Sequence, residues 1–320
     1  MLELFQQLVE AKKVSYSPLS AIRVKVHVPC QLTFEFCHME GNHFSSAIQN
    51  NHDFASALSQ FRERFGFQEV HYTGGEPSIH SQIVDLITTA KTLGFSVKMT
   101  TNGQTELERY EKCISAGLEE LNVSVHTLSG KELGGIMNPP RKEAWGARAV
   151  ERQLSLIAAL RSQVSVKINT CVGENEGEAF RIAQFAFQQG IEWRPMNILE
   201  QPTESYAALL RLCDVLGARP TEATLIRGSS SFRIVMETPD GFVFKVKLIL
   251  PFRLPSMCTG CSLDQLGQCY EYAYGPRLEM QDKKILVRNC VQRVCEPCVL
   301  PIDEYFQHQL AQDLSNALNE

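Results

Sequence analysis

CQLTFEFCHMEGN, residues 30–42, places Cys30 and Cys37 seven positions apart with Phe34 between them. The stretch comes directly after residues 22–28, whose apolar and polar side chains alternate as they do in a β-strand. The two thiols therefore follow a predicted strand, in a loop at its carboxyl end.

Beyond this loop, strand patterns alternate with helix patterns of ten to fifteen residues, joined by short connections. The later strands are predicted at 68–73, 95–101, 118–127, 164–171 and 191–200, and the helices at 53–65, 81–94, 105–117, 145–161, 177–190 and 203–217. Such alternation is typical of an α/β fold with a parallel sheet and right-handed crossovers. Six strand–helix units are two short of a full barrel, so the pattern alone leaves open a doubly wound sheet or a partial barrel. In either fold, ligands bind at the carboxyl ends of the strands.

The chain changes character near residue 218. Two strand patterns flank Pro239-Asp240-Gly241, which predicts a hairpin, and six of the eleven cysteines lie within residues 258–298. We therefore predict an N-terminal helix in residues 1–20, a strand–helix core in 21–220 and a cysteine-rich domain in 221–320.

Composition excludes several classes of protein. A net charge of −5 gives no basic field for extended nucleic-acid binding. No apolar run approaches the roughly 18 residues of a membrane span, and the first residues lack a cationic segment followed by an apolar one. We expect a cytoplasmic protein without membrane contact. An odd number of cysteines in such a chain argues for thiolate-ligated metal rather than disulfides.

The first loop resembles the cysteine loop of the radical SAM superfamily, because Phe36 precedes Cys37 as the aromatic residue of that motif does. Members hold a 4Fe-4S cluster on three closely spaced cysteines, and S-adenosylmethionine (SAM) binds its open iron and is reduced to a 5'-deoxyadenosyl radical. The resemblance implies a partial (β/α)6 TIM-like barrel, with Cys30 and Cys37 as ligands. Phe34 stands where the middle cysteine is expected and offers iron no lone pair, so radical chemistry is predicted to be impaired.

The second strand ends in Gly74-Gly75-Glu76-Pro77. Two glycines let the backbone turn tightly and approach a ligand closely. The resemblance implies that Gly74, Gly75 and Glu76 bind the amino group of SAM, whereas an ordinary strand-to-helix turn is the alternative. Further residues predicted to bind SAM lie on later strands and are Thr101, Asn102, Ser124, Asn169 and Arg194.

The C-terminal cysteines form a second candidate metal site. Taken alone, two Cys-x2-Cys pairs favour structural zinc. The resemblance to the twitch and SPASM extensions of radical SAM enzymes implies one or two auxiliary 4Fe-4S clusters instead. The predicted ligands are Cys258, Cys261, Cys269, Cys290, Cys295 and Cys298.

Three functions remain open on the sequence. The resemblance implies an enzyme that modifies a small molecule or peptide and receives electrons from a flavodoxin or ferredoxin. Its molybdopterin-cyclase-like members end in Gly-Gly, whereas this chain ends Leu318-Asn319-Glu320, which argues against GTP cyclisation. The alternatives are a non-catalytic iron-sulfur or zinc scaffold and a zinc-stabilised α/β enzyme. Cys113, Cys171 and Cys213 lack metal spacing and are predicted to be buried apolar residues.

Overall fold

The computed structural model describes residue 8 and residues 13–38, 45–270, 273–293 and 296–320. The strands are β1 Val14–Pro18, β2 Ala21–Lys25, β3 Glu69–Thr73, β4 Ser96–Thr101, β5 Glu120–Ser124, β6 Ser165–Val172, β7 Glu192–Asn197, β8 Arg219–Arg227, β9 Ser231–Glu237, β10 Val243–Ile249, β11 Arg277–Gln281, β12 Lys284–Arg288 and β13 Val299–Pro301. The helices are α1 His52–Phe65, α2 Ile83–Thr92, α3 Leu107–Ser115, α4 Gly130–Gly135, α5 Glu143–Leu160, α6 Glu176–Gln189, α7 Pro202–Val215, α8 Pro255–Cys258, α9 Ser262–Gln265, α10 Ile302–Tyr305 and α11 Gln309–Asn319. Within the described residues, no helix has the length and apolar character needed to cross a membrane.

Strands β2 to β7 form a parallel sheet in chain order, each paired with the next. The sheet curls into a partial barrel with helices on its outer face, which confirms the predicted six-unit fold. We call the carboxyl ends of these six strands the barrel mouth and the space enclosed by the sheet the lumen.

Helix α1 illustrates why the predicted elements form where they do. The Asn51 side chain accepts a hydrogen bond from the Phe54 amide and caps the first turn, while Gly66 ends the helix in the left-handed conformation. Phe54, Ala57, Leu58 and Phe61 are buried on one face, at the spacing that places side chains on the same side of a helix.

The N-terminal segment differs from the prediction. Residues 1–7 and 9–12 of the predicted helix lie outside the described residues, and residue 8 is helical. Val14–Pro18, however, form a strand that pairs in parallel with β8. The helical interpretation is wrong for these residues, because their backbone partners come from a segment about 200 positions away.

The C-terminal part extends both edges of the partial barrel. The predicted hairpin is confirmed as β9 and β10, and β10 pairs with β7 at one edge. At the opposite edge β11 pairs with β2 and is followed by β12 and β13. The predicted boundary at residue 220 falls within β8, and the division into domains stays a prediction.

Candidate cofactor site at the barrel mouth

The glycine turn after β3 packs directly beneath the first cysteine loop. The Gly75 amide donates to the His27 carbonyl at 2.8 Å, and the Glu76 amide donates to the Pro29 carbonyl at 2.8 Å. A Cβ atom on Gly75 would lie 2.1 Å from the Pro29 oxygen, and Gly74 has a φ of 124°. Only glycine allows this approach, so the turn and the loop form one unit at the barrel mouth.

Glu76 holds this unit together from beneath. Its buried carboxylate accepts bonds from the Ser78 amide (3.0 Å), the Ser78 hydroxyl (2.7 Å), the Thr101 hydroxyl (2.7 Å) and the Asn102 amide (2.6 Å). Burial raises the pKa of Glu76. The side chain therefore fixes the end of β4 against the turn, and the turn's backbone is left as the part that can face a ligand.

Asn102 connects β4 to the cysteine loop. Its side-chain nitrogen lies 3.4 Å from the Cys30 sulfur and 3.1 Å from the Gln31 side-chain oxygen. Burial raises the pKa of Cys30 to about 11. Of the predicted ligand residues, Cys30, Glu76, Thr101 and Asn102 are thus brought together in one hydrogen-bonded group.

Three further predicted residues form a row across the lumen. Ser124, Asn169 and Arg194 are register partners on β5, β6 and β7. The Asn169 side chain is buried, and its oxygen has no hydrogen-bond partner in the structure. Arg194 instead points away from the mouth, since its guanidinium lies 3.4 Å from both the Asn122 oxygen and the Glu192 carboxylate. Its predicted contact with SAM stays a prediction.

Phe34 is integrated into apolar packing at the mouth. Its ring stacks on Phe36 with centroids 5.3 Å apart, and the two rings meet His126 edge-on at 4.8 and 5.0 Å. Phe34 also packs against the apolar cluster that includes Leu32 and Met137. Burial lowers the pKa of His126 to about 4, so this ring is neutral near pH 7.

The loop alone does not fit the three-cysteine cluster expected from its motif. Cys30 and Cys37 interact electrostatically, but position 34 supplies a phenyl ring instead of a thiolate. In the described part of the chain, no three Cys, His, Asp or Glu side chains are grouped to bind a single metal ion.

Gln153 is a mouth residue that the sequence analysis missed. Its side-chain nitrogen donates to the carbonyls of Asn102 and Ser124, each at 2.8 Å, from the buried face of α5. It therefore clamps the ends of β4 and β5. A glutamine among the apolar residues of an amphipathic helix was the available signal.

A group of cations surrounds Tyr274 in the lumen. The Lys247 amine lies 4.7 Å from the centre of its ring, and the guanidinium carbons of Arg23 and Arg277 lie at 5.2 and 5.4 Å. Lys247 also donates to the phenol oxygen. Burial opposes ionisation of the phenol, but the charges of Lys247, Arg23 and Arg233 lower the pKa of Tyr274 to about 7.

The C-terminal cysteines converge on a second site, which we call the tail cavity. The negative charges of the neighbouring cysteines add to burial in raising the pKa of Cys258 to about 11. Cys295 lies outside the described residues, and the five that line the cavity are Cys258, Cys261, Cys269, Cys290 and Cys298.

The other predicted apolar cysteines divide into two groups. Cys113 and Cys213 are buried in the main core, as predicted. Cys171 is only half-buried and lies near the carboxyl end of β6, where its amide donates to His126 Nδ1 at 3.2 Å. It therefore belongs to the mouth rather than to the core.

Comparison with known proteins agrees with this architecture. A model of the radical SAM superfamily matches residues 35–186. A probable GTP 3',8-cyclase from Saccharolobus solfataricus is 27% identical over 263 residues, which cover 78% of this chain and 80% of that protein. Its counterpart from Metallosphaera sedula is 28% identical over 255 residues, 77% of either chain.

Two solved structures share the fold. SuiB from Streptococcus suis, bound to S-adenosylmethionine, has a TM-score of 0.51 and 18% identity over 67% of this chain. The chain spans about half of SuiB, 50% of its length. Native anSMEcpe with bound AdoMet has a TM-score of 0.53 and 15% identity, covering 93% of this chain and 82% of that protein.

Proposed function

We propose that this protein is an enzyme that binds SAM at the barrel mouth and an anionic small molecule in the lumen, in keeping with the radical SAM superfamily model that matches residues 35–186. The observation that carries the proposal is the packing of the glycine turn beneath the cysteine loop. A Cβ on Gly75 would lie only 2.2 Å from the Val28 oxygen, far inside the distance that two non-bonded atoms can share. Because the glycines carry no side chain, the backbone polar groups of the turn can contact a ligand amine.

The row of Ser124, Asn169 and Arg194 across the lumen supports the same ligand. Ser124 and the buried side chain of Asn169 offer a hydroxyl and an amide oxygen, which bind ribose and ammonium groups without adding charge. When bound, a reduced 4Fe-4S cluster would supply the electron that cleaves SAM. The chain's own residues bind and orient SAM and keep the mouth packed.

The cations around Tyr274 support an anionic substrate. Lys247 and Arg23 come from opposite edges of the barrel, and both cations lie over the ring of Tyr274 in the lumen. A phosphate or carboxylate would gain charge-assisted hydrogen bonds there. This charge favours a small anionic molecule over a neutral peptide segment.

The tail cavity is proposed to hold an auxiliary 4Fe-4S cluster. Five described cysteines, with Cys295 as a sixth in the sequence, exceed the four that one tetrahedral zinc ion takes. Such a cluster would contact the substrate or pass electrons from a flavodoxin or ferredoxin.

Calorimetric titration of metal-free protein with SAM tests the mouth independently of iron. We expect saturable binding, and Asn169→Ala should weaken it about tenfold by removing one hydrogen bond to a charged ligand. Asn319→Ala, at an exposed position, is the matched control and should bind as the wild type does. Absence of SAM binding to the folded wild type would contradict the proposal.

A second candidate is a SAM-binding scaffold without radical chemistry. The packing of Phe34 against Phe36 and His126 favours it, because this ring fills the place of a ligand with stable apolar contacts. Release of 5'-deoxyadenosine from SAM under reducing, anaerobic conditions separates the two functions. An enzyme releases it, and a scaffold binds SAM unchanged.

A further inference from the structure

The cations around Tyr274 come from four different strands and converge on one phenol. Lys247 lies on β10, Arg23 on β2 and Arg277 on β11. The Lys247 amine donates a hydrogen bond to the phenol oxygen, and the two guanidinium groups lie over the ring. Arg233 on β9 is the register partner of Lys247 and adds its positive charge. The phenol therefore meets positive charge from each of these strands.

No carboxylate balances Lys247 in the part of the chain that the structure describes. Lys245 lies two residues earlier on the same strand, and its amine pairs with the Glu192 carboxylate at 3.3 Å. On β11, the Glu279 carboxylate is bound by Arg288 at 2.8 Å. The phenol oxygen of Tyr274 thus takes the place beside Lys247 that a carboxylate has beside Lys245.

Tyr274 is held in position but remains accessible. The Ser229 hydroxyl donates to the Tyr274 carbonyl at 2.7 Å, and the Ser230 amide donates to the Ala273 carbonyl at 3.0 Å. Tyr274 and Lys247 are both half-buried, whereas the core around them is closed. A ligand in the lumen can therefore contact the amine and the phenol oxygen.

The phenol and the amine affect each other's ionisation. Burial disfavours a phenolate, but neighbouring cations favour it, and the balance lowers the pKa of Tyr274 to about 7. Burial lowers the pKa of Lys247, and the charge of Tyr274 opposes that shift. Phenolate and ammonium therefore stabilise each other, and a second anion in the lumen competes with the phenolate for the same cation.

We propose that Tyr274 is an internal counter-anion of the lumen, whose phenolate competes with the anionic substrate for Lys247. When the substrate binds, the Lys247 amine exchanges its bond to the phenolate for a bond to a substrate oxygen, and the phenolate takes one proton from solvent. The substrate then binds most tightly while the phenol carries its proton, and its affinity falls as the pH rises through about 7. This inference rests on the anion site of the proposed function.

The probe for the test is inorganic sulfate, which keeps its double negative charge from weakly acidic to weakly basic pH. Full-length wild type, Tyr274→Phe and Tyr305→Phe, purified anaerobically with their metal, are titrated by calorimetry at pH 6 and pH 8.5. Tyr305→Phe is the matched control, because it removes a buried phenol whose oxygen has no hydrogen-bond partner among the described residues. Titration in two buffers of different ionisation enthalpy counts the protons taken up. Near-ultraviolet difference absorbance measures tyrosinate.

We expect wild type and Tyr305→Phe to bind sulfate about 30-fold more weakly at pH 8.5 than at pH 6, given a phenol pKa of about 7. At pH 8.5 they should take up about one proton per sulfate and lose the absorbance of one tyrosinate. Tyr274→Phe should bind sulfate equally at both pH values, without proton uptake, and more tightly than wild type at pH 8.5. A merely structural tyrosine would not produce tighter binding when it is removed.

The inference is overturned if wild type binds sulfate equally at both pH values without proton uptake, or if Tyr274→Phe keeps the pH dependence. It is also overturned if wild type shows no tyrosinate at pH 8.5 that Tyr274→Phe removes. Each of these results leaves the anion site standing, whereas no sulfate binding to wild type at pH 6 overturns the site as well. Thermal unfolding checks the variants, and the proton count on wild type decides the question without them.

Discussion

The barrel mouth and the tail cavity gather cysteines in opposite ways. At the mouth, Cys30 and Cys37 belong to one short loop, and the position between them is occupied by Phe34. At the tail cavity, five cysteines come from separate short segments within residues 258–298. A motif within one loop is recognisable by its spacing, and a single substitution damages it. The second site shows Cys-x2-Cys pairs in the sequence, but the fold decides which of its segments converge.

The surroundings of the two sites differ as well. The mouth is held by a network around the buried Glu76, which joins the glycine turn to the end of β4. Near the tail cavity the cysteines lie on short helices and connections beside the β11–β12 hairpin. We therefore expect the mouth to depend on packing and the tail cavity to depend on its bound metal.

The largest effect is expected at the tail cavity. Cys258→Ala should remove most of the metal bound there, because it deletes the thiol whose charge interacts with three neighbours. Loss of a direct ligand should weaken metal binding by more than the roughly 10- to 100-fold that is typical when a residue hydrogen-bonded to a ligand is removed. Iron, sulfide and zinc analysis measures the change. Cys213→Ala, a buried cysteine of the core, should leave the metal content unchanged.

The next largest effect is expected at the glycine turn. Gly75→Ala places a methyl group 2.1 Å from the Pro29 oxygen, and we expect a loss of about 3 kcal/mol in the free energy of unfolding. Gly177→Ala is the control, since its Cβ would meet nothing within 4 Å and alanine favours a helix by up to about 1 kcal/mol. Urea titration compares them. Equal stability of the two variants would show that the turn is not tightly packed.

A pH-dependent effect is expected at His126. Its folded pKa of about 4 lies below its ordinary value of 6.5, so the fold favours the neutral ring. Stability from this group is therefore full above pH 6.5 and is lost as the pH falls through 4. Relative to His126→Gln, wild type should lose about 3 kcal/mol between pH 7 and pH 4. Urea titrations at several pH values measure it, and parallel curves would contradict the buried, neutral histidine.

The smallest effect is expected at Phe34. Phe34→Ala removes a half-buried ring from contact with Phe36 and His126 and should cost about 2 kcal/mol, less than for a fully buried phenylalanine. Leu266→Ala, at an exposed position, should change stability by less than about 0.5 kcal/mol. Thermal unfolding of metal-free protein distinguishes them. A stabilising Phe34→Ala would mean that the ring is strained rather than packed.

The sequence indicated the six-unit core correctly because its signals are local. Helix and strand periods are visible within ten to fifteen residues, and Gly74-Gly75 marks a tight turn by itself. It missed β1, since the strand depends on β8 for its backbone bonds. It also missed Gln153, whose role depends on two carbonyls from different strands.

Cysteine spacing alone determined that this chain has two candidate metal sites and that the first lacks its middle thiol. Only the tertiary structure decided which other groups reach those sites. Cys171 and Tyr274 carry no recognisable motif, yet the curled sheet brings one beside His126 at the mouth and the other among three cations. Thiol ligation and charge depend on distances across strands, and a linear sequence does not contain those distances.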